Sequence, residues 1–480
     1  MLFNSLAFML FLPVIFALYW AFPHKYRWFL LLLASYYFYM SWNAKYIVLI
    51  LFTTLISYLA ALFLERERHP RKRKAVLILV IVCCMGILFF FKYFNFFSSS
   101  IAAVLNRFAL PVHPVTLMLV LPVGISFYTF QTLSYVLDVY RGKVKAERHF
   151  GIYAAFISFF PQLVAGPIER TENLLPQIRA RHTFHYDKAM YGMKVMLWGY
   201  IKKMVIADLL AGYVDTVFGS VNAYTGFSWV LAVFFFTIQI YCDFSGYSDI
   251  ALGTAKLLDI DLMTNFKSPY FSASVKEFWS RWHISLSTWF RDYVYIPLGG
   301  NRCSKGRQAV NLMATFLCSG LWHGANWTFV LWGAVHGLAQ IAENACSAPL
   351  KRLRETPVGK WALTAAVFVF CNLAWIFFRA DTCADAWYIL THMLQGVIYP
   401  RSYLRAGLAQ LGINPLKGIY LAGLLLLLAL YDYGNKDRDI IEHTFARLGR
   451  GQWFFYLVMG LLFVFFSQKG VAAEFVYFQF

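Results

Sequence analysis

The sequence predicts an all-α polytopic integral membrane protein, and three observations carry that prediction. The first is composition: 60% of the 480 residues are hydrophobic and mean hydropathy is +0.56, well beyond the balance of a soluble domain. The second is the recurrence of apolar runs near bilayer length, at residues 2–20, 28–40, 46–64, 75–91, 227–240, 361–378, 419–431 and 453–466. A helix needs about 20 apolar residues to cross the hydrocarbon core, and a soluble enzyme cannot hide so many such runs. The third is charge. The formal net charge is +19, and the Lys and Arg gather in short loops between the apolar runs. That is the positive-inside pattern of a chain in contact with a lipid bilayer and its anionic headgroups. No RNA or DNA motif accompanies it, so nucleic acid is excluded as a partner.

Taken in order, three apolar segments precede the block Glu65-Arg66-Glu67-Arg68-His69-Pro70-Arg71-Lys72-Arg73-Lys74. Such a block marks a cytoplasmic loop and places the N-terminus outside. The first run lacks a basic n-region and an Ala-x-Ala site, so it is expected to be a span and no cleavable signal. Residues 75–97 should exit into a Ser-rich loop. Residues 115–137 should return as a helix kinked at Pro122 and Gly124 and end at the basic stretch 141–145. Residues 150–166 are short for a crossing and read as a re-entrant hairpin, which survives at membrane depth only where protein buries it or it lines a cavity. Lys202, Lys203 and Asp208 make residues 191–210 either interfacial at one end or the lining of a wet interior. The alternation of basic loops puts the C-terminal tail outside. With no repeat, low-complexity tract or linker, residues 1–480 read as one membrane domain. The eight cysteines (Cys83, Cys84, Cys242, Cys303, Cys318, Cys346, Cys371, Cys383) show no framework spacing and read as small hydrophobes.

Three stretches combine polar chemistry with apolar surroundings. In Tyr241-Cys242-Asp243-Phe244-Ser245-Gly246-Tyr247-Ser248-Asp249, the two carboxylates need partners, because an unpaired buried charge is expensive. They either line a polar donor channel or pair with the basic segment downstream. Residues 276–293 mix Trp, Arg and His at helical spacing, the pattern of an amphipathic helix in the interface plane. There Arg281 stands beside His283, and its guanidinium suits a phosphate or carboxylate. Last, Leu321-Trp322-His323-Gly324-Ala325-Asn326-Trp327 lies inside a long apolar segment. An intramembrane histidine is by default a functional-site hypothesis, against the plainer reading of a histidine hydrogen-bonded to a neighbouring helix. Gly320 and Gly324 bracket it and let another backbone, or a substrate, come close.

Phe278-Trp279-Ser280-Arg281-Trp282-His283-Ile284-Ser285 and Leu321-Trp322-His323-Gly324-Ala325-Asn326 resemble the membrane-bound O-acyltransferase (MBOAT) family. The resemblance is narrower still to its bacterial branch that O-acetylates exported alginate or peptidoglycan. It extends through Leu121-Pro122-Val123-Gly124-Ile125-Ser126-Phe127-Tyr128, Ala165-Gly166-Pro167-Ile168, the 241–249 stretch, Arg291-Asp292-Tyr293 and Leu298-Gly299-Gly300-Asn301, in that order. It implies a ring of transmembrane and re-entrant helices around a thin centre, with a tunnel between a cytoplasmic donor entrance and an opposite acceptor funnel. It places the principal catalytic histidine at His323 and the second at His283. It also implies an extracytoplasmic esterase-like acetyltransferase partner, an envelope polysaccharide as final acceptor, and the bacterial inner membrane as location.

The residues agree with that chemistry. Acyl transfer to a hydroxyl needs a base, and imidazole titrates near working pH. It needs donors for the developing oxyanion, for which Asn326, Trp322 or nearby backbone N–H groups are candidates. No Gly-x-Ser-x-Gly elbow and no metal-ligand spacing appears. The expectation is metal-free, His-assisted acetyl transfer from a cytoplasmic thioester, most simply acetyl-CoA. The acceptor is expected to be peptidoglycan, because the chain is compact and lacks a long hydrophilic C-terminal extension, with alginate or another exopolysaccharide as the alternative. A transporter or flippase is the reading of another class, which inverted repeats would favour; a scaffold with structural histidines is a third. The aromatic tail, residues 475–480, either anchors in an aromatic belt or, as it resembles envelope acyltransferase tails, presents Tyr477 as a transient acyl carrier. A phenol with a pKa near 10 suits such a relay.

Overall fold

The computed structural model describes residues 1–164, 166–442, 449 and 451–466; Tyr477 and the aromatic tail lie outside the described residues. Among these residues the regular structure is all helical, with no strand. Five helices among the described residues are long and apolar enough to cross a membrane: His24–Arg66, Pro70–Arg107, Phe227–Leu257, Pro357–Arg379 and Pro415–Asn435. The chain forms two compact units, Met1–Met196 with Ile250–Met263, and Leu197–Asp249 with Thr264–Phe480.

The first unit opens with α1 (Leu6–Ala21), capped by the Ser5 hydroxyl, which accepts the Phe8 N–H. It continues through α2 (His24–Asn43), α3 (Ile47–Arg66), α4 (Pro70–Leu88) and α5 (Phe94–Arg107). A π turn at Phe89–Tyr93 joins α4 to α5 without a break. The serines at 98–100, expected in a loop, therefore lie inside a helix. Thr53, Ser57, Ala60 and Ala61 give α3 a narrow buried face, the small-residue packing that lets apolar helices approach closely.

Residues 109–124 are not helical, and α6 (Ile125–Tyr140) begins where a kink was expected. Pro122 has no N–H to continue a helix, and Gly124 adopts φ +74°, so the pair starts a helix instead of bending one. Next come α7 (Phe150–Ser158) and α8 (Phe160–Leu163), separated at Phe159 and buried almost throughout. The break frees the Phe156 carbonyl, which accepts from the side-chain amides of Gln131 (2.8 Å) and Gln162 (3.1 Å). The carbonyl freed by the broken backbone is thus satisfied within the protein. α9 (Thr171–Arg179) and α10 (Tyr186–Tyr200) follow.

In the second unit, a π turn at Ile201–Ala207 runs into α11 (Asp208–Phe218). α12 (Phe227–Leu257) is a single helix of 31 residues. Asp243 and Asp249 sit on it, and their partners are upstream, not downstream. Lys203 Nζ lies 2.6 Å from Asp243 and 2.9 Å from Asp208, and Lys202 Nζ lies 2.6 Å from Asp249.

The expected interfacial helix at 276–293 is two short helices instead, α13 (Val275–Arg281) and α14 (Ile284–Phe290), with Trp282 and His283 fully buried between them. Protein aromatics, not headgroups, cover these rings. Then come the hairpin of α15 (Lys305–His323) and α16 (Trp327–Ala345), followed by α17 (Ser347–Arg354) and α18 (Pro357–Arg379). α19 (Cys383–His392), α20 (Pro400–Gln410), α21 (Pro415–Asn435) and α22 (Gly451–Phe466) complete the described chain.

Gly124→Ala is expected to lower the thermal unfolding midpoint in detergent. A left-handed alanine costs about 1–2 kcal/mol, and a Cβ at this position would stand 2.4 Å from the Leu163 carbonyl oxygen. An unchanged midpoint would show that α6 does not depend on this start.

Candidate active site

The site is built on two chain interruptions. The first lies between α13 and α14. Ser274 caps α13 by accepting the Glu277 N–H, and Glu343 of α16 accepts the Val275 N–H at 2.7 Å, a carboxylate at a helix N-terminus. Trp282 leaves the helical region, and His283 takes φ +43°, ψ +53°. That conformation is uncommon for a non-glycine residue and is held only where the surroundings over-determine it. Two backbone bonds hold it, Lys267 N–H to Arg281 O and Ile284 N–H to Asn265 O, both 2.9 Å.

Asn265, fully buried, fixes the imidazole as well. Its Oδ1 accepts the Ser285 backbone N–H (3.2 Å) and hydroxyl (2.9 Å), and it lies 3.2 Å from His283 Nδ1. Its Nδ2 donates to Ser248 Oγ at 3.2 Å. An oxygen that already accepts backbone N–H can only accept from the ring too, so Nδ1 carries the proton and the lone pair resides on Nε2.

The second interruption follows His323, the last residue of α15. Gly324 is extended, and Asn326 caps α16 through its Oδ1, which accepts the Thr328 N–H. The glycine expectation holds with a specific partner. A Cβ on Gly320 would stand 2.3 Å from the Phe329 carbonyl oxygen, and one on Gly324 would strike the Phe329 ring at 2.1 Å. The glycines therefore let the two arms of the hairpin touch. They do not loosen one continuous helix.

His283 and His323 lie edge to face with ring centroids 6.4 Å apart, within the range of rings in direct contact. Trp322 lies against both, at 5.9 and 5.0 Å; Trp332 and Phe378 cover His323 at 5.0 and 5.3 Å; and Phe244 meets His283 edge-on at 4.5 Å. The wall is aromatic, and both histidines are buried. Water exclusion of this kind strengthens each polar interaction inside.

The other expected site residues are engaged elsewhere. The Arg281 guanidinium bonds Glu277 and the backbone carbonyls of Lys267 and Lys436, and does not join His283. The Asn326 amide donates to Asp381 O at 2.9 Å while its oxygen caps α16, so it is a structural cap. Asp243 and Asp249 are ion-paired, one residue and five residues from Phe244. Sequence reasoning passed over Asn265, Trp332 and His336. Asn265 gives no local signal, because its role depends on a tertiary contact 18 residues away. Trp332 and His336 had one: with Thr328 they recur at helical spacing on a single face.

Burial pushes His283 down to about 3 from an ordinary 6.5. The folded-state value lies below the unfolded one, so the unfolded chain binds the extra proton. The corresponding stability is complete above pH 6.5 and is lost progressively as pH falls toward 3. Thermal unfolding midpoints between pH 6.5 and 5 should therefore drop more steeply in the wild type than in His283→Gln. Equal slopes would mean that the folded chain does not hold this ring neutral.

The description "membrane-bound O-acyltransferase family" fits residues 148–384, which include both histidines. The probable alginate O-acetylase AlgI of Pseudomonas aeruginosa is 41% identical over 424 residues, covering 88% of this chain and 80% of that protein. The chain belongs to the membrane-bound O-acyltransferase family and is a multi-pass membrane enzyme. It is also similar to the peptidoglycan O-acetyltransferase of Helicobacter pylori, 34% identical over 76% of this chain and 73% of that protein. A teichoic acid D-alanyltransferase of Streptococcus thermophilus is 27% identical over 59% of this chain and 74% of its own length.

Proposed function

We propose that this O-acetyltransferase moves acetyl from a cytoplasmic thioester, acetyl-CoA in the simplest case, to a hydroxyl destined for an exported polysaccharide. The observation that carries the proposal is the pair of buried histidines 6.4 Å apart inside an aromatic wall. His323 acts as the base. It takes the proton of the attacking hydroxyl as that oxygen bonds to the acetyl carbon, and returns it to the sulfur as the carbon–sulfur bond breaks. His283, with Nδ1–H committed to Asn265, presents the Nε2 lone pair to the group brought against the two rings. It orients that group and does not supply its charge.

On the acceptor, identity is higher to the alginate enzyme (41%) than to the peptidoglycan enzyme (34%). We therefore favour an alginate-like exopolysaccharide over the expected peptidoglycan, which is the other candidate. An inner-membrane location and an extracytoplasmic esterase-like partner complete the reading.

His323→Ala should lower acetyl transfer from labelled thioester to polymer by about a hundred- to ten-thousand-fold, the usual weight of a general base, while the protein stays folded and inserted. Near-normal ester acetate on the polymer would overturn the assignment. Alkali-released acetate, measured separately in exopolysaccharide and peptidoglycan fractions, decides the acceptor. Tyr477 is proposed as the outward acetyl relay. Tyr477→Phe keeps the ring but should abolish polymer acetylation, and persistence of that acetylation would reduce the tail to an anchor.

A further inference from the structure

One face of α16 carries Thr328, Trp332 and His336, three polar side chains one turn apart with no exposed surface. The His336 ring is enclosed by aromatic neighbours: Trp332 at 4.9 Å, Trp279 at 5.1 Å, Phe370 at 5.2 Å and Phe278 at 6.2 Å between centroids. Its Nδ1 lies 3.3 Å from the indole Nε1 of Trp279. An indole nitrogen only donates, so Nδ1 holds the lone pair and the ring proton is on Nε2. That N–H has no acceptor among the described residues, and neither has the indole N–H of Trp332. Both are donors, so neither satisfies the other. Buried donors left in this state are costly, and native structures rarely keep them without a partner.

The pair has a direction. Trp332 touches His323, with centroids 5.0 Å apart. His336 lies one turn further along α16, toward the end that runs into α17 with Lys351, Arg352 and Arg354 in its last turn. By the positive-inside pattern that end is cytoplasmic. An acceptor from outside the chain, arriving from the donor side, would meet His336 first, then Trp332, then the transfer centre. A thioester whose arm carries amide groups supplies carbonyl oxygens along its length.

We propose that Trp332 and His336 form a binding site for the carbonyl oxygens of the acyl donor's amide-bearing thioester arm and hold the thioester against His323. The proposal rests on the thioester-donor reading above. Coenzyme A and the prosthetic arm of a carrier protein share this chemistry, and wild-type rates with acetyl-CoA, acetyl-pantetheine and an acetylated carrier protein identify the source.

The test is the donor KM of the full chain in lipid nanodiscs carrying His336→Phe, His336→Gln, His336→Asn or Trp332→Phe. His336→Phe should raise KM roughly three- to tenfold, the weight of one hydrogen bond, and by the same factor for acetyl-CoA and acetyl-pantetheine. Trp332→Phe should act in the same direction. His336→Gln places an amide N–H where Nε2–H lies and should restore the wild-type value. His336→Asn keeps only an acceptor toward Trp279 and should not. Restoration by Asn as complete as that by Gln would assign His336 to holding Trp279 and overturn the proposal. So would an unchanged KM in His336→Phe, or a rise confined to acetyl-CoA. The Gln–Asn comparison stands even if the Phe variant fails to fold. A wild-type chain that accepts none of the three donors would overturn the thioester-donor reading itself.

Discussion

A polar group withdrawn from water inside an apolar chain has to be met from within, and here the meeting that governs the most is at the side chain of Asn265. One carbonyl oxygen receives the Ser285 N–H, the Ser285 hydroxyl and the His283 ring N–H. Each such bond is worth only about 1 kcal/mol net, but each partner left orphaned in a buried site costs about 1–3 kcal/mol. Loss of this one amide would strand several groups at once. It would also release the tautomer of the His283 ring, whose left-handed turn is held separately by backbone bonds. The geometry of the candidate active site therefore depends on a residue that belongs to neither histidine motif.

Around that point, two further devices keep the elements in register. Consecutive lysines on a π turn are tied to different aspartates of α12, Lys202 to Asp249 and Lys203 to Asp243. Buried pairs of this sort add little net stability, because desolvation offsets attraction, but losing one partner is heavily penalised. They fix which face of α12 turns toward the site and so where Phe244 meets His283. The hairpin of α15 and α16 is fixed by contact without polarity: Gly333 would carry a Cβ 2.4 Å from the Phe316 carbonyl oxygen, and Gly320 is equally close to Phe329. Helices that meet backbone to backbone have one depth of packing. The indole stack of Trp332 on Trp375, at 5.7 Å and 22°, then joins the hairpin to α18.

The membrane class and the helical content were legible in the sequence because each rests on local information, and both histidine stretches stood out as polar chemistry in apolar surroundings. Apolar run length, charge placement and a histidine set among tryptophans need no knowledge of tertiary contacts. The errors came where two local signals compete or where the deciding contact is distant. Pro122 and Gly124 signal an interrupted helix, but only the non-helical run before them shows that they begin one. Residues 276–293 have the composition of a surface helix. Their rings are buried because α16 and α18 supply aromatic partners that no window of sequence contains. Arg281 and His283 are neighbours in the chain, yet the break between their helices gives them unrelated partners. Asp243 and Asp249 needed counter-charges, expected from the basic segment downstream, and Lys202 and Lys203 upstream supply them through a tertiary contact that no local window decides.

The partner chosen for His283 also has an electrical consequence. A carboxylate at position 265 would attract a second proton onto the imidazole and leave a charged pair in a low-dielectric interior. An amide orients the ring equally well but adds no charge, so the ring's affinity for a second proton stays low. Held this way, the ring stays uncharged beside His323 at neutral pH, and the apolar wall around it carries no cost of solvating a buried ion.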